Sequence, residues 1–154
     1  MAVNLLFQSY DTWTSKIIQG FTWSEYSHVD FIMPEGGLIG ADGDGGVRKR
    51  TLLEQSPIKS IVGTVRCSKE IEDKVLQFVR DQLGVPYDWS AIFGIAQHRD
   101  WDDSSKWFCF EMAAAAFVHA EYQLLNAAHL NRVTGRDLML SPLINFDRPV
   151  NLCL

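Results

Sequence analysis

The chain has 154 residues, of which 47% are apolar and 21% charged, a size for one domain (1–154) and a composition that excludes a disordered polyelectrolyte. Its net charge of −5 argues against a nucleic-acid partner, because phosphate backbones are bound mainly by clustered Lys and Arg. No apolar run reaches the roughly 20 residues of a membrane span, Met1 to Leu6 lacks the basic and long apolar regions of a signal peptide, and three cysteines without framework spacing suit a reducing compartment, so the expected location is cytoplasmic.

Val3 to Phe7 is a short apolar run that predicts a first strand. Asp11-Thr12-Trp13-Thr14 offers capping oxygens for a short helix, Thr14 to Gln19, with Gly20 as its stop. Ser27 to Met33 is rich in β-formers, and Pro34-Glu35-Gly36-Gly37 supplies a turn before another strand, Leu38 to Ala41. Asp42-Gly43-Asp44-Gly45-Gly46 is a flexible loop leading to Val47-Arg48-Lys49-Arg50, whose basic residues read as a solvated strand end.

Ile58 to Cys67 predicts a longer strand. Ser68 then caps a helix with Glu70, Glu72 and Asp73 in its first turns, favourable against the helix dipole. Ile71, Val75, Leu76, Phe78 and Val79 keep helical spacing on it, and Gly84 follows as a stop. Pro86-Tyr87-Asp88-Trp89 opens a short helix, Trp89 to Ala96, and the polar stretch Gln97 to Lys106 is a loop. The small-residue segment from Cys109 predicts a helix to about Tyr122, followed by a helix from Gln123 to Val133 and a last turn capped by Thr134-Gly135-Arg136-Asp137. No internal repeat is present. Strands first and helices later make an α+β domain.

Cys109 and His28 are the candidate residues for chemistry. A cysteine attacks as the thiolate, which both a helix N-terminus and a neighbouring imidazolium stabilise. Cys109 opens a predicted helix, and Ala113 and Ala116 share its face. Against this stands the reading of Cys109 as a small buried hydrophobe, a common use of free cysteine. Cys67, at a strand end, and Cys153, near the C-terminus, lack that setting. On a strand, His28, Asp30 and Ile32 share one face, so Asp30 is placed to orient the imidazole. The competing reading makes His28-Val29-Asp30 the exposed face of an edge strand, with Val29 and Phe31 inward. His98, His119 and His129 read as solvent-facing. A metal site of His28 and Asp30 with His98, Asp102 and Asp103 matches no zinc signature, and Asp42-x-Asp44-x-Gly46 lacks the later bidentate Glu of a calcium loop. Neither a metal nor another cofactor is expected.

Three segments together resemble the circularly permuted branch of the NlpC/P60 papain-like superfamily, of the YiiX/YebB type. Tyr26-Ser27-His28-Val29-Asp30 with Gly37 to Ala41 and Gly45 to Arg50 is similar to its histidine hairpin. Gly84-Val85-Pro86-Tyr87-Asp88-Trp89 is similar to the segment before its nucleophile helix. Lys106-Trp107-Phe108-Cys109-Phe110-Glu111 is similar to its cysteine motif, commonly written W-x-C-S-E. The histidine precedes the cysteine, the reverse of the papain order. The matches run from about Phe7 to His119.

The resemblance implies a small antiparallel sheet packed against helices that include the nucleophile helix. It implies Cys109 as nucleophile, His28 as general base, Tyr87 lining the cleft and Trp107 walling the substrate, with backbone N–H groups near Cys109 as an oxyanion hole. Two positions depart from the family pattern. Phe110 replaces the serine after the cysteine, and Gly40 fills the slot on the strand after the histidine where an acidic third residue tends to sit. Asp30 takes that role in this reading, with Asp42 as the alternative.

The function implied is a cysteine peptidase or amidase acting on a peptide-like, acyl-containing substrate, peptidoglycan stem peptides included, in a phage or prophage context. Two alternatives stand beside it. A lipid acyltransferase or thioesterase would have an apolar tunnel fed by Phe108, Phe110 and Trp89, whereas a polar open groove would favour a peptide. A virion or interaction module would keep the fold without catalysis. Oligomeric state is not legible.

Overall fold

A computed structural model gives the fold and describes residues 1–54, 56–90, 106–126 and 133–147. Six strands form an antiparallel sheet: β1 (Ala2–Ser9), β2 (His28–Ile32), β3 (Leu38–Asp42), β4 (Gly46–Arg50), β5 (Lys59–Arg66) and β6 (Ile144–Phe146), in the order β4-β3-β2-β1-β5-β6. The helices are α1 (Trp13–Thr22), α2 (Lys69–Asp81), α3 (Cys109–His119) and α4 (Gly135–Met139), with a 3-10 turn at Leu52–Glu54. The architecture is α+β, as the order of apolar patterns predicts.

Strand alternation sorts the sheet into two faces. Val3, Leu5, Phe7, Val29, Phe31, Ile39, Ala41, Val47 and Val65 are buried in one core with the apolar stripe of α2 and most of α3. Phe31 of β2 stacks on Phe117 of α3 at 6.4 Å between ring centroids. Ala113, Ala114 and Ala116 are buried along α3, and their small size lets the helix lie close against β2 and β3. The other face of β2 and its neighbours carries His28, Asp30 and Arg50, all buried.

Four local expectations are corrected. Gly20 does not stop α1; the helix runs to Thr22, and Trp23 ends it in the left-handed conformation, φ 52°. Residues 121–126 are not helical, so the predicted helix from Gln123 does not start there; 127–132 lie outside the described residues. Tyr122 folds back instead, its N–H donating to Phe117 O at 2.9 Å and its hydroxyl to Arg66 O at 3.3 Å. β2 is an interior strand between β1 and β3, so the exposed-edge reading of His28-Val29-Asp30 fails. Arg50 is 6% exposed rather than solvated, because the β3–β4 register pairs it with Leu38 and turns its side chain to Asp30.

Candidate active site

α3 begins at Cys109, and its N-cap residue Phe108 supplies no side-chain hydrogen bond to the first turn. The first backbone N–H groups of the helix therefore keep their donor capacity at the thiol. The Glu111 side chain accepts from the Phe108 N–H, half of a capping box. Cys109 is 1% exposed, and its Sγ lies 3.9 Å from Ser27 O, at the mouth of β2.

His28, the next residue, occupies the first position of β2. Its Nε2 is 2.9 Å from Asp30 Oδ1, which leaves Nδ1 as the ring nitrogen free to serve the thiol. The pair is buried, at 8% and 0% exposure. Burial alone would drive the imidazolium to lose its proton, but the Asp30 charge and hydrogen bond, with a hydrogen bond and charge from Cys109, outweigh it and push the His28 pKa up to about 10. Asp30 stays below its usual carboxylate range; burial opposes ionisation, and His28 and Arg50 together overcome it.

Arg50, which sequence reading leaves in solvent, ties the acidic groups together. Its Nη2 donates to Asp30 Oδ1 at 2.5 Å and also meets His28 Nε2, and its Nη1 lies 3.2 Å from Asp42 Oδ2. Asp42 also pairs with Arg48 at 2.5 Å. Burial raises the Asp42 carboxyl, yet Arg48 and Arg50 hold it below its ordinary value. Asp42 acts on His28 only through charge, whereas Asp30 touches the ring.

A cleft of about 320 Å³ opens over this network. Its walls include Tyr10, Thr12, Ser15, His28, Asp44 and Tyr87, and they are polar on the side of β3 and β4. α1 closes one side, held by Ser15 Oγ to Ser27 Oγ at 2.6 Å and by Gln19 Nε2 to Ser9 Oγ at 3.1 Å. Tyr10 meets the imidazole edge-on at 6.4 Å between ring centroids, and burial followed by the Asp30 charge keeps its hydroxyl protonated. Tyr10 and Arg50 are the residues that sequence reading misses. Tyr10 has no local signal, since it precedes a turn, and Arg50 sits in a run that mimics a solvated face.

Tyr87 lines the cleft and packs edge-on against Trp89 at 5.2 Å and Phe108 at 6.2 Å. Burial and the nearby Cys109 charge raise its hydroxyl pKa. Trp107 is placed elsewhere. Its N–H and C=O bridge Pro86 and Asp88, its Nε1 donates to Gln82 Oε1 at 2.8 Å, and its ring meets Phe78. It is not among the residues lining the cleft. Phe108 and Phe110 are likewise core residues, at 5% and 0% exposure, so neither feeds a tunnel. Phe110 fills the space over Gly135, where an added Cβ would lie 2.7 Å from its Cζ. His98, His129, Asp102, Asp103 and Cys153 lie outside the described residues; His119 is exposed at the end of α3.

No family model matches the sequence, and no curated protein matches it significantly. Among solved structures the chain is similar to the metalloprotein yiiX from Escherichia coli O157:H7 (DUF1105), at TM-score 0.71 and 20% identity, with 96% of each chain covered. That likeness establishes a shared fold. No helix among the described residues is long and apolar enough to cross a membrane. Nor do three or more His, Cys, Asp or Glu side chains gather there as metal ligands. The His28–Asp30 pair has the Arg50 guanidinium against both members, and a buried cation in that position disfavours a second one. This donor set does not fit a metal.

Proposed function

We propose that the protein is a cysteine hydrolase with a permuted papain-like, NlpC/P60-type fold that cleaves an amide bond in a peptide-like substrate. The observation that carries this reading is the meeting of Cys109, at an uncapped helix start, with a His28 ring oriented by Asp30. With the proton already resting on His28, Cys109 attacks the substrate carbonyl carbon as the thiolate of an ion pair with the imidazolium, giving a tetrahedral oxyanion. Backbone N–H groups at the start of α3 stabilise that oxyanion. As the C–N bond breaks, His28 returns the proton to the departing amine and leaves a thioester. Water, deprotonated by His28, then attacks the thioester, releasing the acid and restoring the thiol. Asp30 steadies the imidazolium in both halves.

Charged residues Asp42, Asp44, Arg48 and Arg50 on one wall of the cleft favour a peptide over a lipid acyl chain, and Phe108 and Phe110 turn into the core. A second reading, a non-catalytic interaction module, is favoured by the 1% exposure of Cys109.

Two measurements test the proposal. Iodoacetamide at near-neutral pH should label Cys109 far faster than Cys67, whose thiol burial pushes up, and His28→Ala should abolish the difference. Equal slow labelling would select the interaction module. Incubation with peptidoglycan peptide fragments, acyl-peptides and lipid esters, read by mass spectrometry, then separates amide from ester chemistry.

A further inference from the structure

The carboxylate of Asp30 occupies the side-chain space of another residue. β2 and β3 pair Phe31 with Ile39 and Ile32 with Leu38, and continuing that register sets Asp30 across from Gly40. A Cβ added to Gly40 would fall within the envelope of Asp30 Oδ1, 3.0 Å from its Cγ and 3.1 Å from Val29 O. Backbone conformation does not require this glycine, because Gly40 is not among the residues with positive φ. It is a plain strand residue, and what it contributes is room. The room is dry and tightly used. Asp30 is 0% exposed, and among the described residues its Oδ2 has no hydrogen-bond partner, so Oδ1 makes the contacts to His28 and Arg50.

We infer that Gly40 is a positioning residue that admits the third member of the site, and that acid and glycine can be exchanged across this strand pair. This inference rests on the hydrolase reading for its catalytic meaning. Its physical basis is that the first side-chain atom of residue 40 would enter the slot where Asp30 Oδ1 now contacts the imidazole. With glycine at 30, a carboxylate built from 40 starts inside that slot and needs only one or two further bonds to meet Nε2.

The test uses four variants of the whole protein: Gly40→Ala, Asp30→Gly, and Asp30→Gly combined with Gly40→Asp or with Gly40→Glu. Circular dichroism confirms that each is folded. The His28 ring is titrated by NMR, and Cys109 labelling by iodoacetamide is followed against pH. Gly40→Ala and Asp30→Gly should each lower the His28 pKa by about one unit or more, a tenfold change in proton affinity, and slow Cys109 labelling on the acid side. At least one double variant should restore both readouts. The inference is overturned if folded Gly40→Ala titrates like the parent protein, or if both folded double variants behave like Asp30→Gly. The hydrolase reading fails separately, if parental Cys109 labels no faster than Cys67. The His28 titration still reads the exchange in that case.

Discussion

Asp30 Oδ1 lies 2.9 Å from His28 Nε2, two residues along one strand, inside a sheet and out of water. Strand geometry makes this neighbour relation automatic, since alternate residues share a face. What the fold adds is burial on both sides, which turns a local contact into a strong one. With His28 pushed up to about 10 from 6.5, the folded state holds the ring's proton more tightly than the unfolded chain. That contribution to stability is therefore complete below pH 6.5 and is lost as pH rises through about 10. Urea unfolding followed against pH should show the decline over that window, and Asp30→Asn should flatten it. An unchanged slope in the variant would mean that the carboxylate is not the source.

Arg50 presents a separate case, in which charge and geometry are both used. Its two terminal nitrogens reach different carboxylates, Nη2 to Asp30 and Nη1 to Asp42. Removing one partner of a buried ion pair leaves the other uncompensated and costs about 3–5 kcal/mol. Arg50→Met should lower the unfolding free energy by about that amount. Arg50→Lys should recover only part of it, since one ammonium cannot repeat the fork. Equilibrium urea unfolding measures both, and equal stability of all three proteins would contradict the bridging role.

The same residue marks where local reading stops. His28, Asp30 and the start of α3 are legible because each depends on sequence within one element: β-formers around His28, and small residues following Cys109. Ser68, too, caps α2 by accepting from Ile71 N at 3.3 Å, as its sequence predicts. Arg50 follows from a register between β3 and β4 that no local pattern encodes. β6 is similar. Its three residues pair with Gly63 to Val65, roughly eighty positions earlier, and alternation over so short a run gives no usable signal. The passage of α1 through Gly20 is set by packing: Thr22, beyond the predicted stop, is buried on the same helix as Ile18 before it, outweighing the roughly 1 kcal/mol cost of a helical glycine.

Phe110 is fully buried and edge-on to Phe108 at 5.5 Å between ring centroids. Its ring also lies against Gly135 at the start of α4. Truncation to Ala should cost about 3–5 kcal/mol, the range for a buried phenylalanine. The direct check is chemical denaturation of Phe110→Ala with Cys109 labelling measured on the folded fraction. A stability loss with labelling preserved is the expected result. A loss of labelling without instability would place Phe110 in the site instead of the core.

Glu111 is buried at 7% exposure in the first turn of α3, with Asp88 close enough to act on it. Burial, then the Asp88 charge, push its carboxyl up to about 8 from 4.5, against a hydrogen bond from the Phe108 N–H that favours ionisation. A carboxyl raised in the folded state gives stability that is present below pH 4.5 and lost as pH climbs through about 8, because the folded protein must then ionise a group it prefers neutral. Glu111→Gln keeps the shape and cannot ionise. Its melting temperature relative to the parent should therefore rise steadily from acid pH to about pH 8 and level off above it. His28 loses stability in the same direction over a higher, overlapping window, from pH 6.5 to about 10, in variant and parent alike, so taking the difference between them isolates Glu111. A flat difference across that range would show that the carboxyl ionises freely, and that Asp88 and burial exert no hold on it.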